Sequence, residues 1–174
     1  MKKLYLVLSA VLLLAGCNQN EDGLPQSWDF ISTGCASATK AGMYGAEPSL
    51  KLEYTPDGLL VTRKNAEMNC SIKYNGIGCD VQVDGDIILY KTYEKAGMTA
   101  NCMCLVEEMS STVSGLHEGN DYTFYYWCQS EMPLVPISFT YKEGFVMVID
   151  PDLYAAPLVD NGDGTWSPDV HVWK

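Results

Sequence analysis

The feature that most constrains the fold of this chain is a series of short segments in which apolar and polar residues alternate. Residues 50–54 alternate leucine and tyrosine with charged residues, and the turn sequence Pro-Asp-Gly follows at 56–58. A second pair of alternating segments, 79–83 and 86–93, flanks Asp84-Gly85. An Asp-Gly pair between two such segments is typical of a two-residue hairpin turn. Short strands at this spacing, without a convincing amphipathic helix, predict an all-β sandwich or barrel.

The alternation continues into the C-terminal part of the chain. Residues 137–141 and 145–149 flank Lys-Glu-Gly at 142–144, and this pattern predicts a β-hairpin. We therefore expect a sandwich domain over 28–130. The C-terminal segment, 131–174, is expected to supply strands that pack on the sandwich or complete it. The length of the chain suits one such domain.

An acidic, glycine-rich segment, Asp160-Asn161-Gly162-Asp163-Gly164, follows that predicted hairpin. An EF-hand calcium loop requires acidic ligands at its first and last positions, and this chain has Val159 and Val170 there. The segment therefore predicts a hairpin turn and not a metal site, with a short closing strand near Val172 and Trp173. We expect neither a metal nor another cofactor.

The cysteine content indicates an oxidising compartment. The chain has seven cysteines, and setting Cys17 aside leaves six, which in an exported chain predicts a disulfide framework. A bond within Cys102-Met103-Cys104 would be strained, so each of its cysteines is expected to bridge to a different strand. A zinc site on this C-x-C sequence is the alternative, although C-x-C alone is a weak zinc signal. The predicted pairing joins Cys70 and Cys79, in either order, with Cys102 and Cys104, and leaves Cys35 with Cys128.

The first seventeen residues predict export. Two lysines precede an apolar run at 4–14, and Leu-Ala-Gly leads directly into Cys17. This layout is typical of a secretory signal peptide over residues 1–16. A cysteine at the cleavage point resembles the lipobox of bacterial lipoproteins, in which that cysteine becomes a lipid-modified N-terminus. An ordinary signal peptide with a coincidental cysteine is the alternative.

Residues 17–27 predict a flexible acidic tether between Cys17 and the domain. Glu21 and Asp22 resemble the surface-export signals of Bacteroidetes lipoproteins, with a solvated linker as the alternative. The expected location is the bacterial outer membrane, with its cell-surface side favoured over its periplasmic side. Removing residues 1–16 takes Lys plus Arg from 11 to 9 against 22 Asp plus Glu, so the formal charge moves from −11 to −13. That charge argues against nucleic acid and anionic lipid headgroups as partners.

The most aromatic stretch is YTFYYWC at 122–128. In a strand, Phe124 and Tyr126 would face one side, and Tyr125 and Trp127 would face the other. One side has to be core. The other side is either covered by the C-terminal segment, which we favour, or exposes Tyr125 and Trp127 as a stacking platform for a sugar or a peptide.

The sequence GLHEGNDYTF at 115–124 resembles the G-L-x-P-G-x-x-Y-x-F/V corner of fibronectin type III and related immunoglobulin-like domains. The resemblance implies that Leu116 plugs the core, that Gly119 permits the turn and that the Tyr122 hydroxyl bonds back to the loop backbone. Glu118 stands where proline is common. The motif favours an immunoglobulin-like β-sandwich, with the C-terminal hairpin as an extension, and carries no information on activity.

A wider resemblance covers residues 50–128. An Asn-Cys pair at 69–70, a hairpin, an Asn-Cys-Met-Cys element at 101–104 and the corner at 115–124 are similar to a group of small Bacteroidetes lipoproteins without an established activity. The resemblance implies the fold and the compartment, and it leaves the biochemistry open.

Catalysis has little support in the sequence. No G-x-S-x-G, H-E-x-x-H or P-loop sequence occurs, and neither His117 nor His171 lies in a recognisable nucleophile motif. We therefore predict a non-enzymatic binding or structural module, attached to the membrane by its N-terminal lipid, whose ligand is a glycan, a peptide or an envelope protein. An inhibitor or immunity-type lipoprotein, which neutralises a toxin or a hydrolase through its acidic surface, is the alternative.

Overall fold

The computed structural model describes residues 27–35, 47–129, 133–162 and 166–168. Several predicted features lie outside the described residues: the signal peptide, Cys17, the tether as far as residue 26, and the closing strand near Trp173.

The described residues form eleven β-strands and one four-residue helix. In chain order they are β1 (Ser27–Ser32), β2 (Ser49–Thr55), β3 (Gly58–Asn69), α1 (Ile72–Asn75), β4 (Ile77–Asp84), β5 (Ile87–Glu94), β6 (Met103–Val113), β7 (Asp121–Cys128), β8 (Ile137–Thr140), β9 (Val146–Ile149), β10 (Leu158–Asp160) and β11 (Trp166–Pro168). Both hairpins predicted before residue 95 are confirmed, as β2–β3 and β4–β5. Gly85 in the β4–β5 turn has a φ of 59°, a conformation that glycine adopts without steric cost.

Two sheets pack against each other around one hydrophobic core. The five-stranded sheet has the order β1-β6-β3-β2-β9, and the four-stranded sheet has the order β4-β5-β7-β8. Neighbouring strands in both are antiparallel, apart from β5 and β7, which are parallel. The predicted all-β sandwich is therefore confirmed.

Alternation along the strands places the core side chains. Leu50 and Leu52 on β2 and Phe124 on β7 are fully buried. The residues that alternate with them along each strand lie nearer the surface. Burying one such side chain stabilises the fold by about 1.5–3 kcal/mol. The two sheets are also joined by a polar contact, because the hydroxyls of Tyr90 on β5 and Ser111 on β6 lie 2.7 Å apart inside the core.

The corner before β7 has the geometry that the fibronectin-type motif implies. The backbone N–H of His117 donates to the Tyr122 hydroxyl oxygen at 2.9 Å. Gly119 has a φ of 88°, and Leu116 packs against the core. This corner fixes the start of β7, the strand on which the predicted platform lies.

Of the two hairpins that the sequence predicts after residue 130, the structure contains the second and not the first. The expected pairing of 137–141 with 145–149 is wrong, because β8 pairs with β7 while β9 pairs with β2. The turn at 142–144 therefore carries the chain from one sheet to the other. The hairpin is β10–β11, whose connection contains the glycine-rich segment for which the sequence predicts a turn.

Two disulfides lie at one end of the five-stranded sheet. Cys70 after β3 bonds to Cys102 before β6, and Cys35 after β1 bonds to Cys104 within β6. The two cysteines of the C-x-C sequence thus bridge to different segments, as predicted, and Cys70–Cys102 is one of the predicted pairs. The predicted Cys35–Cys128 pair is wrong, and so is a bond from Cys79 to Cys104.

The remaining two cysteines of the domain, Cys79 and Cys128, carry thiols in this structure. Each is paired in register with Thr92, which lies on the central strand β5 between them. They are therefore two strand spacings of about 4.8 Å apart, whereas bonded cysteines have Cα atoms within about 7 Å of each other. Strand order is the physical reason that Cys79 and Cys128 do not form a third disulfide. Alternation along the strands does not reveal that order.

Candidate binding face

The candidate site lies on the side of the four-stranded sheet that faces away from the core. Its side chains alternate with buried ones along β5, β7 and β8. Register places Leu89 beside Tyr125 and Lys91 beside Trp127 on the two parallel strands. We call the following set the outer face: Ile87, Leu89, Lys91, Tyr93, Thr123, Tyr125, Trp127, Ser138 and Thr140.

One end of the outer face is aromatic and carries a positive charge. Lys91 Nζ lies 4.5 Å from the centre of the Trp127 ring and 5.6 Å from the centre of the Tyr93 ring. An ammonium over an aromatic ring is attracted to the negative face of the ring, by about 0.5–1 kcal/mol at an exposed site. One face of the Trp127 ring is therefore in contact with a side chain of the protein itself.

Tyr93 is held in place by its two neighbours on β4. Its hydroxyl donates to the Asp80 carboxylate at 3.0 Å. A Cβ atom on Gly78 would come within 2.5 Å of the Tyr93 ring, so the glycine makes room for it. The hydrogen bond to Asp80, with a further contribution from burial, raises the pKa of Tyr93 above its ordinary value, because the bond exists only while the phenol keeps its proton.

The predicted platform residues, Tyr125 and Trp127, are both half-buried and both point outward. The alternation predicted for 122–128 is confirmed, since Phe124 and Tyr126 are buried in the core. Tyr125 lies between the aromatic end and the opposite end of the outer face. Coverage of this side by the C-terminal segment stays a prediction, and so does its alternative, binding of a ligand at this platform.

The opposite end of the outer face is a polar depression with a volume of about 350 Å³. The Thr140 hydroxyl donates to the Asp121 carboxylate at 2.6 Å, and the backbone N–H of Thr123 donates to the carbonyl of Asp86 at 2.8 Å. The residues that line the depression are Asp86, Asp121, Tyr122, Thr123, Ser138, Phe139 and Thr140. Two carboxylates and the hydroxyls of two threonines and one serine therefore share one small space.

Sequence reasoning missed this depression. Asp86 belongs to the β4–β5 turn and Asp121 begins β7, and the two are far apart in the chain. The parallel pairing of β5 with β7 brings them together. Pairing between strands that are not consecutive leaves no trace in local alternation, and the only available signal was the polar character of outward positions such as Thr123 and Ser138.

Among the residues that the structure describes, the lining of the depression includes neither a histidine nor a cysteine. His117 is exposed in the corner loop, and its described hydrogen bonds are made by its backbone N–H and its backbone carbonyl. In the same part of the chain, no three His, Cys, Asp or Glu side chains are grouped so that they could hold a metal ion.

No helix within the described ranges is long and apolar enough to cross a membrane. Three features of the chain bear on its function: the outer face, the polar depression and the N-terminal sequence. Comparisons with known proteins add no relative, since no family model, no curated protein and no solved structure matches this chain.

Proposed function

We propose that this protein is an exported, lipid-anchored binding module of the bacterial outer membrane, without catalytic activity, that presents the outer face to its ligand. The observation that carries the proposal is the alignment of Tyr93, Tyr125 and Trp127 on one outward sheet face beside a polar depression. Tyrosine and tryptophan supply large contact areas at a low cost in conformational entropy, which is why recognition surfaces are rich in them.

We expect attachment through Cys17 to leave this face accessible to a ligand. About ten residues separate Cys17 from β1, and ten extended residues span at most about 35 Å. The acidic domain is repelled by anionic headgroups, so the tether is expected to hold it away from the lipid. The anchor itself is tested by Cys17→Ser, which should abolish incorporation of labelled palmitate and release the protein from the membrane fraction. Continued membrane association of that variant would contradict a lipid anchor.

The binding role is tested by comparing matched alanine variants on the two sheets. Tyr125→Ala removes an outward ring from the four-stranded sheet, and Thr62→Ala changes an outward residue of the five-stranded sheet. The full-length proteins, purified in detergent, are applied to glycan arrays and used in pull-downs from envelope fractions. We expect at least one ligand to bind to the wild type and to Thr62→Ala, and to be lost with Tyr125→Ala.

Two outcomes would overturn this proposal. In the first, neither assay gives a signal above that of an unrelated lipoprotein. In the second, Tyr125→Ala binds as well as the wild type while its melting temperature is unchanged. A variant that no longer folds is replaced by Leu89→Asp, which puts a charge beside the Tyr125 ring on the same outward face.

A further inference from the structure

Tyr125 lies next to the depression along β7. Thr123 lines the depression, and Tyr125 follows it two residues later on the same side of β7. Two residues of a strand span about 6.8 Å. A ligand that fills the depression therefore reaches the Tyr125 ring with its next unit.

The side chains that line the depression suit a ligand with many hydroxyl groups. Carboxylates only accept hydrogen bonds, whereas the hydroxyls of Thr123 and Ser138 both donate and accept them. A sugar residue, whose hydroxyls do both, satisfies the two kinds of group at once. The volume of about 350 Å³ is at the small end of the range of about 300–1,000 Å³ for small-molecule sites, which suits one sugar ring.

The charge of the depression selects among sugars. Of the described residues, Asp86 and Asp121 both line it, and no lysine, arginine or histidine does. Sulfated, phosphorylated and uronic sugars would bring a negative charge next to two carboxylates, which is unfavourable. Neutral sugars and amino sugars carry no such penalty.

We infer that the outer face binds an oligosaccharide without acidic substituents, with one sugar ring in the depression and the next ring against Tyr125. In this arrangement hydroxyls of the first ring donate to Asp86 and Asp121 and bond to Ser138. The apolar C–H side of the second ring packs on the Tyr125 ring, as apolar groups do on aromatic faces. This inference rests on the proposed binding role of the outer face.

The test uses the full-length protein in detergent and a panel of named tetrasaccharides. The neutral and amino probes are chito-, cello-, manno- and galacto-oligosaccharides, and the acidic probe is oligogalacturonate. Binding is followed by titration calorimetry. We expect at least one neutral or amino probe to bind, and the acidic probe to bind at least tenfold more weakly, which is a difference of about 1.4 kcal/mol.

Three variants locate the binding site of that probe. Ser138→Ala removes a hydroxyl from the depression without a change in charge, and Asp121→Asn removes a carboxylate while keeping an oxygen that can accept from Thr140. The matched control is Glu107→Gln, the same kind of change at an exposed position on β6 of the other sheet. We expect each depression variant to weaken binding about tenfold or more, and the control to bind as the wild type does.

Failure of this inference is distinguishable from failure of the proposed function. If no tetrasaccharide binds but a basic peptide or an envelope protein is captured through Tyr125, the saccharide inference is wrong and the binding module stands. Preference for oligogalacturonate, or unchanged affinity in both depression variants, also overturns the inference. If nothing binds to the outer face in either set of experiments, both proposals fail.

Discussion

The two sheets of this sandwich differ in how they are held together and in what they expose. The five-stranded sheet carries both described disulfides at one end, and its outward side bears exposed ion pairs such as Lys64–Glu108. The four-stranded sheet contains the thiols of Cys79 and Cys128, and its outward side is aromatic with a polar depression. Covalent stabilisation and the proposed recognition surface are therefore on opposite sides of one core.

The largest effect is expected from removing the Cys35–Cys104 bridge by changing both residues to alanine. The bond joins residues 69 apart in sequence, and closing a loop of that length should stabilise the folded state by about 4 kcal/mol through the entropy of the unfolded chain. Urea denaturation measures the loss in unfolding free energy. A loss below about 1 kcal/mol would mean that the five-stranded sheet does not depend on its covalent link.

Two controls sharpen this result. A variant that lacks all four bridging cysteines should show no further loss of stability when dithiothreitol is added. In denaturant without reductant, the mature lipidated chain should react with a thiol reagent at two sites, Cys79 and Cys128. Finding no reactive thiol would indicate a bridge in the four-stranded sheet and would remove the contrast between the sheets.

Tyr90→Phe tests whether the two sheets are coupled through the core. The change leaves the buried Ser111 hydroxyl without its partner across the sandwich, which should cost about 1–3 kcal/mol. In a double-mutant cycle with Ser111→Ala, the second change should cost less in the Tyr90→Phe background than in the wild type. Additive effects would mean that the two sheets are energetically independent at this contact.

Alkaline pH should weaken the contact between the Tyr90 and Ser111 hydroxyls. Burial, with a further contribution from the neighbouring Cys79, raises the pKa of Tyr90 well above its ordinary value near 10. Folding therefore favours the protonated phenol, so this stabilisation is fully present below about pH 10 and is lost as the pH rises through the folded-state pKa. Unfolding free energies measured at several pH values above 9 should fall less steeply with increasing pH for Tyr90→Phe than for the wild type. Equal slopes in both proteins would contradict the assignment.

Tyr122→Phe tests the corner that positions β7 in the four-stranded sheet. It removes the acceptor of the His117 N–H, and we expect a loss of about 1 kcal/mol. Tyr74→Phe is the control, because Tyr74 is 74% exposed and should not change the stability. A loss equal in the two variants would show that the corner contact contributes nothing specific.

The smallest effect is expected from Glu108→Gln on the five-stranded sheet. Its carboxylate lies 3.4 Å from Lys64 Nζ, and both side chains are about half-exposed. Exposed pairs of this kind contribute about 0.2–1 kcal/mol or less. Urea denaturation in low and high salt should show a small loss that salt removes, whereas a loss above about 1 kcal/mol would mean that this surface is more than a solvated face.

Local features of the fold were predictable from the sequence, and distant pairings were not. The β2–β3 and β4–β5 hairpins follow from alternation and an Asp-Gly turn, which act over a few residues. The Tyr122 corner is equally local. By contrast, β8 and β9 look like a hairpin in sequence, and only their packing against β7 and β2 sends them to different sheets.

The candidate site was predictable to a similar extent. Alternation alone places Tyr125 and Trp127 on the side of β7 opposite Phe124, because successive side chains in a strand point to opposite faces. It does not place Lys91 over Trp127 or Asp86 near Asp121, since both contacts depend on the parallel pairing of β5 with β7. The predicted cysteine pairing is partly wrong for the same reason, since it too depends on which strands are neighbours.

By itself, the sequence determined which residues face inward, where the tight turns lie, and that the chain forms an all-β sandwich with cysteines on several of its strands. These properties depend on interactions between residues close in the chain. Only the tertiary structure decided which strands are neighbours. Strand order put Thr92 between Cys79 and Cys128, so that no disulfide joins these two cysteines, and it formed a polar depression beside an aromatic face. Pairing between distant strands is set by how the whole core packs, and no local pattern encodes it.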